Sequence, residues 1–141
     1  MPQTQCILLA DDEPHILLAL EYMSRTLDHV TVMTASDGPT AVKLAIENKP
    51  SLVLMDVMMP GIDGYTACAT IRKAWAENDH QGNIWFITAR SSNMDNEHAH
   101  SVGADRIVHK PFDPDKLLKM MQEHLASFQT TASIHRRESA R

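Results

Sequence analysis

Short apolar runs alternate with longer amphipathic stretches along the chain. Each run is four to six residues long and is followed by a polar turn, as expected of strands buried on both faces of a parallel sheet. The stretches between them repeat apolar residues at helical spacing. The pattern predicts five strands: Cys6–Ala10, Thr31–Ala35, Leu52–Met55, Asn83–Thr88 and Arg106–His109.

Five helices are predicted to alternate with these strands. The first begins near Pro14, where proline suits the first turn of a helix, and carries apolar residues from Ile16 to Leu27. The last follows a capping residue, Asp113, and loses its apolar period after Ala126. The other three are predicted after the turn at Asp37, at residues 65–77 and, weakly, at residues 92–102.

This alternation predicts an α/β fold, a doubly wound five-stranded parallel sheet with helices on both faces. The alternation by itself leaves the strand order open. We expect one domain over residues 1–126. Residues 127–141 are expected to form a flexible polar and basic tail, because they lack an apolar face.

The composition of the chain argues against several classes of function. The 141 residues carry a net charge of -5, and outside the tail ten basic residues face seventeen acidic ones, which argues against direct nucleic-acid binding. No apolar run is long enough to span a membrane, and residues 1–5 lack the features of a signal peptide, so a cytoplasmic location is expected. Cys6 and Cys68 form no CxxC pair and are expected to be packed thiols.

Polar side chains stand at the carboxyl ends of four predicted strands. Asp11 and Asp12 end the first strand, and Asp56 follows the third. Thr88 ends the fourth strand, and Lys110 follows the fifth. If the strand order is the flavodoxin-like 2-1-3-4-5, the first and third strands are neighbours, and the three carboxylates meet in one crevice.

These residue types suit phosphoryl transfer. Clustered carboxylates repel one another unless a cation neutralises them, and an open site of oxygen ligands suits Mg²⁺. Asp56 would then be able to attack a phosphoryl group, while the Thr88 hydroxyl and the Lys110 ammonium stabilise its oxygens. Each residue alone has an ordinary alternative, as a turn former, a strand residue or a solvated charge. Their combination at four strand ends favours the functional interpretation.

The motifs resemble those of the receiver domain of two-component response regulators, in particular the single-domain, chemotaxis-regulator-like type. The resemblance covers about Cys6 to Ala126. It is carried by LLADDE at residues 8–13, LMDVMMPGIDG at 54–64, TA at 88–89 and KPF at 110–112.

The resemblance implies roles for the site residues. Asp56 is the expected phospho-acceptor, and Asp11, Asp12, Asp56 and the Met58 backbone carbonyl are the expected Mg²⁺ ligands. Thr88 and Lys110 are expected to contact the phosphoryl oxygens, and the Lys110–Pro111 bond is expected to be cis. The chain would catalyse only its own phosphorylation and dephosphorylation and would not otherwise be an enzyme.

The resemblance also implies partners: a sensor histidine kinase or histidine phosphotransfer protein as donor, and a downstream protein bound through the face of helix four, strand five and helix five. We expect a monomer or weak dimer without membrane insertion. The switch pair would be Thr88 and position 107, where the family usually has Tyr or Phe. Because Ile107 is smaller and stiff at its first torsion angle, a muted or altered switch is expected there.

Two alternatives stay open from the sequence. The chain is either a stand-alone receiver or the receiver portion of a longer regulator whose other part binds DNA or has enzymatic activity. A flavodoxin-like cofactor carrier is disfavoured, because a flavin phosphate would meet acidic residues after the first strand rather than a loop rich in hydrogen-bond donors.

Overall fold

Strands and helices alternate along the described part of the chain. The structure is a computed structural model that describes residues 4–90 and 92–139. From residue 128 onward it describes the backbone only. Three predicted strands have the observed bounds, and the other two begin one residue earlier. The elements are β1 (Gln5–Ala10), α1 (Pro14–Ser24), β2 (Val30–Ala35), α2 (Gly38–Asn48), β3 (Leu52–Met55), α3 (Gly64–Glu77), β4 (Asn83–Thr88), α4 (Asn93–Ser101), β5 (Arg106–His109) and α5 (Pro114–Ser139).

The five strands form one parallel sheet in the order β2-β1-β3-β4-β5. This confirms the order on which the predicted convergence of the carboxylates depends. From β1 the chain moves first to the edge strand β2 and then back to β3, on the other side of β1. The reversal creates a crevice at the carboxyl ends of β1 and β3, where ligands bind in doubly wound sheets.

Apolar side chains fill both faces of the sheet. On one face Ala41 and Ala45 of α2 and the buried side of α3 pack against the strands, together with Ala99 of α4. On the other face α1 and α5 contribute Leu20, Met23, Leu117, Met121 and Leu125. Because both faces of the sheet are covered, β3 is entirely buried. This burial explains why its sequence is an unbroken hydrophobic run.

Side-chain caps fix the starts of four helices. Asp37 accepts a hydrogen bond from the Thr40 backbone N–H at the start of α2, and Asp63 accepts one from Thr66 at the start of α3. Ser92 caps α4 in the same way, and Asp113, the predicted capping residue, caps α5. Such caps satisfy N–H groups that the first helical turn leaves unpaired. Helix α1 differs, because Glu13 precedes Pro14 without making a side-chain cap.

Two helix ends differ from the prediction. Helix α1 ends at Ser24, so Leu27 lies beyond it and reaches the core from the following turn. The backbone of α5 stays helical to Ser139, past the predicted end at Ala126, because helical hydrogen bonds are local and do not require an apolar face. The division at residue 127 and the flexibility of the tail stay predictions, and Arg141 lies outside the described residues. None of the described helices has the length and apolar character to cross a membrane.

Candidate functional site

The parallel ladder carries the polar residues to one edge of the sheet. The backbone N–H of Asp11 donates to Ala35 of β2, and that of Asp56 donates to Ala10 of β1. At the far side of the crevice, the N–H of Lys110 donates to the carbonyl of Thr88. Backbone hydrogen bonds therefore hold the residues that follow β1, β3 and β5 at a common level.

Three carboxylates converge there. One oxygen each of Asp11, Asp12 and Asp56 lies within 4.8 Å of the others. Asp11 and Asp56 are buried, whereas Asp12 is exposed. The cluster is therefore walled by protein on one side and open to solvent on the other, as the sequence predicts for strands β1 and β3 placed side by side.

The Lys110 ammonium lies among three acidic side chains from two parts of the chain, the segments after β1 and after β3. Its Nζ is 3.0 Å from an oxygen of Asp11, 3.0 Å from one of Asp56 and 2.9 Å from Oε1 of Glu13. The sequence does not identify Glu13 as a site residue, because an acidic residue before a helix has an ordinary role near the positive end of the helix. The signal available in the sequence is its place directly after the Asp pair, and the structure adds that its side chain does not cap α1.

Burial and hydrogen bonding shift the pKa values of Asp11 and of Lys110 in opposite directions. Burial raises the pKa of Asp11 above its ordinary value, against the hydrogen bond that its Oδ1 accepts from the Glu13 N–H. Burial alone would lower the pKa of Lys110, but hydrogen bonds to Glu13, Asp11 and Asp56 outweigh it and raise that pKa. Lys110 is therefore a fixed positive charge at any physiological pH, as a group that stabilises phosphoryl oxygens needs to be.

The donor set fits a hard divalent cation. It consists of carboxylate oxygens only, and Oδ2 of Asp11 is buried with no hydrogen-bond partner of good geometry, although it lies 3.0 Å from Lys110. A buried carboxylate oxygen in that position has a lone pair free for a cation. Mg²⁺ favours a few carboxylates at an open site where it keeps several waters, and Asp12 leaves this site open.

The remaining predicted residues lie beside the cluster. The backbone N–H of Met58 donates to Oδ1 of Asp56, while the role of the Met58 carbonyl as a metal ligand stays a prediction. Thr88 is buried, and its hydroxyl oxygen accepts a hydrogen bond from the Arg90 N–H. The Lys110–Pro111 bond is cis, as expected.

Ile107 lies away from the carboxylates, on β5. It pairs with Phe86 across the sheet and packs, partly buried, against the core on the α2, α3 and α4 face. The structure therefore places an aliphatic side chain in the core at the position where the resemblance implies an aromatic one.

Comparison with known proteins agrees with this geometry. The family model of the response regulator receiver domain matches residues 7–122. The transcriptional regulatory protein YvrH of Bacillus subtilis is 34% identical over 119 residues, which are 84% of this chain and 48% of that protein.

Two solved structures show the same architecture over most of both chains. The BeF3-activated DrrB receiver domain is 27% identical, with a TM-score of 0.76 over 88% of this chain and 99% of its own. The chemotaxis protein CheY4 of Vibrio cholerae is 26% identical, with a TM-score of 0.75 over 85% of this chain and 98% of its own. The chain thus spans about half the length of the curated relatives and nearly all of these solved domains.

Proposed function

This chain belongs to the response regulator receiver domain family, and from that premise we propose that it accepts a phosphoryl group on Asp56 in a Mg²⁺-dependent reaction. The observation that carries the proposal is the convergence of three carboxylates within 4.8 Å, with the Lys110 ammonium 3.0 Å from Asp56. A nucleophile, a metal-binding acidic pair and a fixed cation at one edge of a sheet are the parts that phosphoryl transfer needs.

Asp11, Asp12, Asp56 and the Met58 carbonyl would hold the cation. When bound, Mg²⁺ neutralises charge on the transferred phosphoryl group and on the carboxylates around it. The residues of the chain supply the remaining chemistry. A carboxylate oxygen of Asp56 forms the new P–O bond as the P–N bond of a donor phosphohistidine breaks, and the electrons of that bond stay on the donor imidazole.

Lys110 and Thr88 stabilise the transferred group. Lys110 is already poised beside Asp56 and would move its ammonium from that carboxylate to the phosphoryl oxygens. The Thr88 hydroxyl would donate to another phosphoryl oxygen. The catalysis would be limited to phosphorylation and dephosphorylation of the chain itself, because the residues of the site act only on the bond between Asp56 and the phosphoryl group.

A direct experiment tests this assignment. The protein is incubated with acetyl phosphate and Mg²⁺, and its mass is measured by mass spectrometry. We expect a phosphoryl mass increase in the wild type, its absence after removal of Mg²⁺ with a chelator, and its absence in Asp56→Ala. Asp63→Ser is the matched control, because it alters a nearby exposed carboxylate that caps α3 while keeping a capping oxygen. An undiminished increase in Asp56→Ala would refute the assignment.

The donor is proposed to be a sensor histidine kinase or a histidine phosphotransfer protein in the cytoplasm, and the output a downstream protein that binds the face of α4, β5 and α5. Ile107 is proposed to alter the switch on that face. If this is right, Ile107→Tyr changes the ratio of partner affinities between the phosphorylated and unphosphorylated forms. Equal ratios for the two proteins would contradict it.

Two settings for this domain have different support. Near-complete overlap with the chemotaxis protein CheY4 supports a stand-alone receiver. Overlap with about half of each curated relative supports the receiver portion of a longer regulator. The reading frame of the gene decides between them: a stop codon directly after Arg141 supports the first, and an open frame that encodes a further domain supports the second.

A further inference from the structure

The turn between β2 and α2 contacts both segments that carry the candidate metal ligands. At its start, the Ala35 carbonyl accepts a hydrogen bond of 3.1 Å from the backbone N–H of Asp11, which follows β1. Three residues later, the Gly38 N–H donates a hydrogen bond of 3.0 Å to the Pro60 carbonyl, in the loop that follows β3. The cluster of three carboxylates includes none of residues 35–39. Any effect of this turn on metal binding must therefore act through the position of the ligands.

The turn and the β3–α3 loop (residues 57–63) also touch at two glycines. A Cβ at Gly38 would lie 2.3 Å from the Ile62 carbonyl oxygen, which is a backbone atom. On the loop side, Gly61 has a φ of +87°, and a Cβ there would lie 2.6 Å from Cδ of the Pro39 ring. The start of α2 therefore supports the loop at a distance that leaves no room for a side chain at either glycine.

The β3–α3 loop carries the Met58 carbonyl, which is the proposed backbone ligand. Hydrogen bonds close the two ends of the loop, from the Gly64 N–H to the Val57 carbonyl at 2.7 Å and from the Met58 N–H to Oδ1 of Asp56 at 3.2 Å. The Ile62 side chain packs, partly buried, against the core beneath α2 and α3. Because the peptide unit is planar, a backbone carbonyl has no side-chain torsion that could redirect it. Its direction therefore follows the path of the loop.

We propose that Gly38 and Pro39 are positioning residues for the proposed Mg²⁺ site, and that they hold the β3–α3 loop where Mg²⁺ binding needs it. Mg²⁺ demands a nearly ideal octahedron with ligands at about 2.0–2.1 Å, whereas Ca²⁺ accepts longer and less regular contacts. A rigid support for a backbone ligand therefore favours Mg²⁺ over Ca²⁺. This inference rests on the proposed function, because that function supplies Mg²⁺ as the ion and the Met58 carbonyl as a ligand.

The variant Gly38→Ala tests the support. Ordinary contact begins at 3.4 Å, so the added Cβ must displace the Ile62 backbone by about 1 Å. Mg²⁺ and Ca²⁺ are titrated separately into the protein without a phosphoryl donor, and amide ¹H–¹⁵N chemical shifts of residues 56–64 give a Kd for each ion. We expect the Mg²⁺ Kd to rise roughly 10-fold, as it does when groups that orient a metal ligand are changed. The Ca²⁺ Kd should rise less, so the preference for Mg²⁺ falls.

Gly82→Ala is the matched control. A Cβ at Gly82 would lie 2.5 Å from the Pro50 carbonyl oxygen, which is a similar backbone clash at the opposite end of the sheet. This variant should bind both ions as the wild type does. Circular dichroism establishes that each variant is folded at the temperature of the titration. A general loss of stability would affect the two variants alike, whereas loss of the support affects Gly38→Ala alone and weakens the two ions unequally.

A second pair of variants tests the Pro39 contact. Gly61→Asn presses the loop against the Pro39 ring with a residue type that tolerates a positive φ, and it should weaken Mg²⁺ binding in the same way. Adding Pro39→Ala removes the ring atoms that a Cβ at Gly61 would meet, so the double variant should recover most of the Mg²⁺ affinity.

The inference is refuted if folded Gly38→Ala keeps the wild-type Kd values or weakens both ions equally. If Gly38→Ala does not fold, wild-type Mg²⁺ binding by Gly61→Asn refutes it, as does a double variant that binds no better than Gly61→Asn. In either case Mg²⁺ binding by the wild type leaves the proposed function intact. A wild type that does not bind Mg²⁺ would refute the Mg²⁺ dependence of the proposed function, and this inference with it.

Discussion

Substitution of Gly64 tests whether the first turn of α3 positions Asp56, the proposed phospho-acceptor, through the contact of Gly64 with the backbone of Asp56 and Val57. In Gly64→Ala the added Cβ would lie 2.6 Å from the Asp56 carbonyl oxygen and 2.8 Å from Cα of Val57, both backbone atoms that no side-chain rotation can move away. Ordinary contact begins at 3.4 Å, so the backbone must separate by about 0.8 Å. The Asp56 carboxylate will move with its backbone.

Two magnitudes follow from that separation. Overpacking of a tight contact costs about 1–3 kcal/mol of unfolding free energy, which for a domain of this size lowers Tm by roughly 3–12 °C. A misplacement of about 1 Å at a reacting group slows a reaction up to roughly 100-fold. We therefore expect phosphorylation of Gly64→Ala by acetyl phosphate to be roughly 10- to 100-fold slower than that of the wild type.

Gly82→Ala is the matched control for this measurement. A Cβ at Gly82 would lie 2.5 Å from the Pro50 carbonyl oxygen, an equally severe backbone clash at the opposite end of the sheet. Both variants should therefore lose stability in thermal unfolding followed by circular dichroism, while only Gly64→Ala loses phosphorylation rate. Equal rates for the two variants, measured at a temperature where both are folded, would refute the reasoning.

Three further predictions concern stability and the lifetime of the phosphoryl group. Burial lowers the pKa of His80 and of His124, so the unfolded chain binds protons at these residues before the folded chain does as the pH falls below about 6.5. The free energy of unfolding measured in urea should therefore fall from pH 7.5 to pH 5.5, and it should fall less in His80→Gln. Arg72→Met removes hydrogen bonds to the carbonyls of Gly82 and Gly103 and should cost about 2–3 kcal/mol in urea unfolding, without slowing phosphorylation. Met58→Asn replaces an exposed apolar side chain two residues after Asp56 with a polar one, which we expect to admit water to the phosphoryl group and to speed autodephosphorylation severalfold; an unchanged rate would contradict this.

The strand pattern of the sequence predicts most of the fold, because buried parallel strands leave a local signal. The run LVLM at β3 is such a signal, and its predicted bounds equal the observed ones. The end of α5 is less predictable, since an apolar period indicates where a helix packs and not where its backbone hydrogen bonds stop. Strand order also needs information that the local pattern lacks, and the order 2-1-3-4-5 was a hypothesis taken from a common arrangement of doubly wound sheets, which the structure confirms.

Some residues of the candidate site can likewise be predicted from the sequence, and others cannot. Residues that directly follow a strand, such as Asp56, are predictable because the sheet fixes their position. The contacts of Glu13 and of the neighbouring helix residue Tyr65 are not, because they depend on side-chain direction and on partners far along the chain. Glu13 reaches Lys110, and Tyr65 stacks on His98 of a helix that carries almost no apolar signal. Such contacts become visible only once the helices are packed on the sheet.

The acidic contacts of Lys110 have a consequence for the order of biosynthesis. They join Lys110 to Glu13, which lies 97 positions earlier in the chain, and to Asp56, which lies 54 positions earlier. Contacts of such long sequence separation form late, because the intervening chain must be ordered first. A nascent or truncated chain that stops before β5 holds the carboxylates of Asp11, Glu13 and Asp56 but lacks the Lys110 cation that offsets them. If Asp56 accepts a phosphoryl group as proposed, the reaction therefore needs a chain that is synthesised and folded through β5, and a shorter product would lack the charge that stabilises the phosphoryl oxygens.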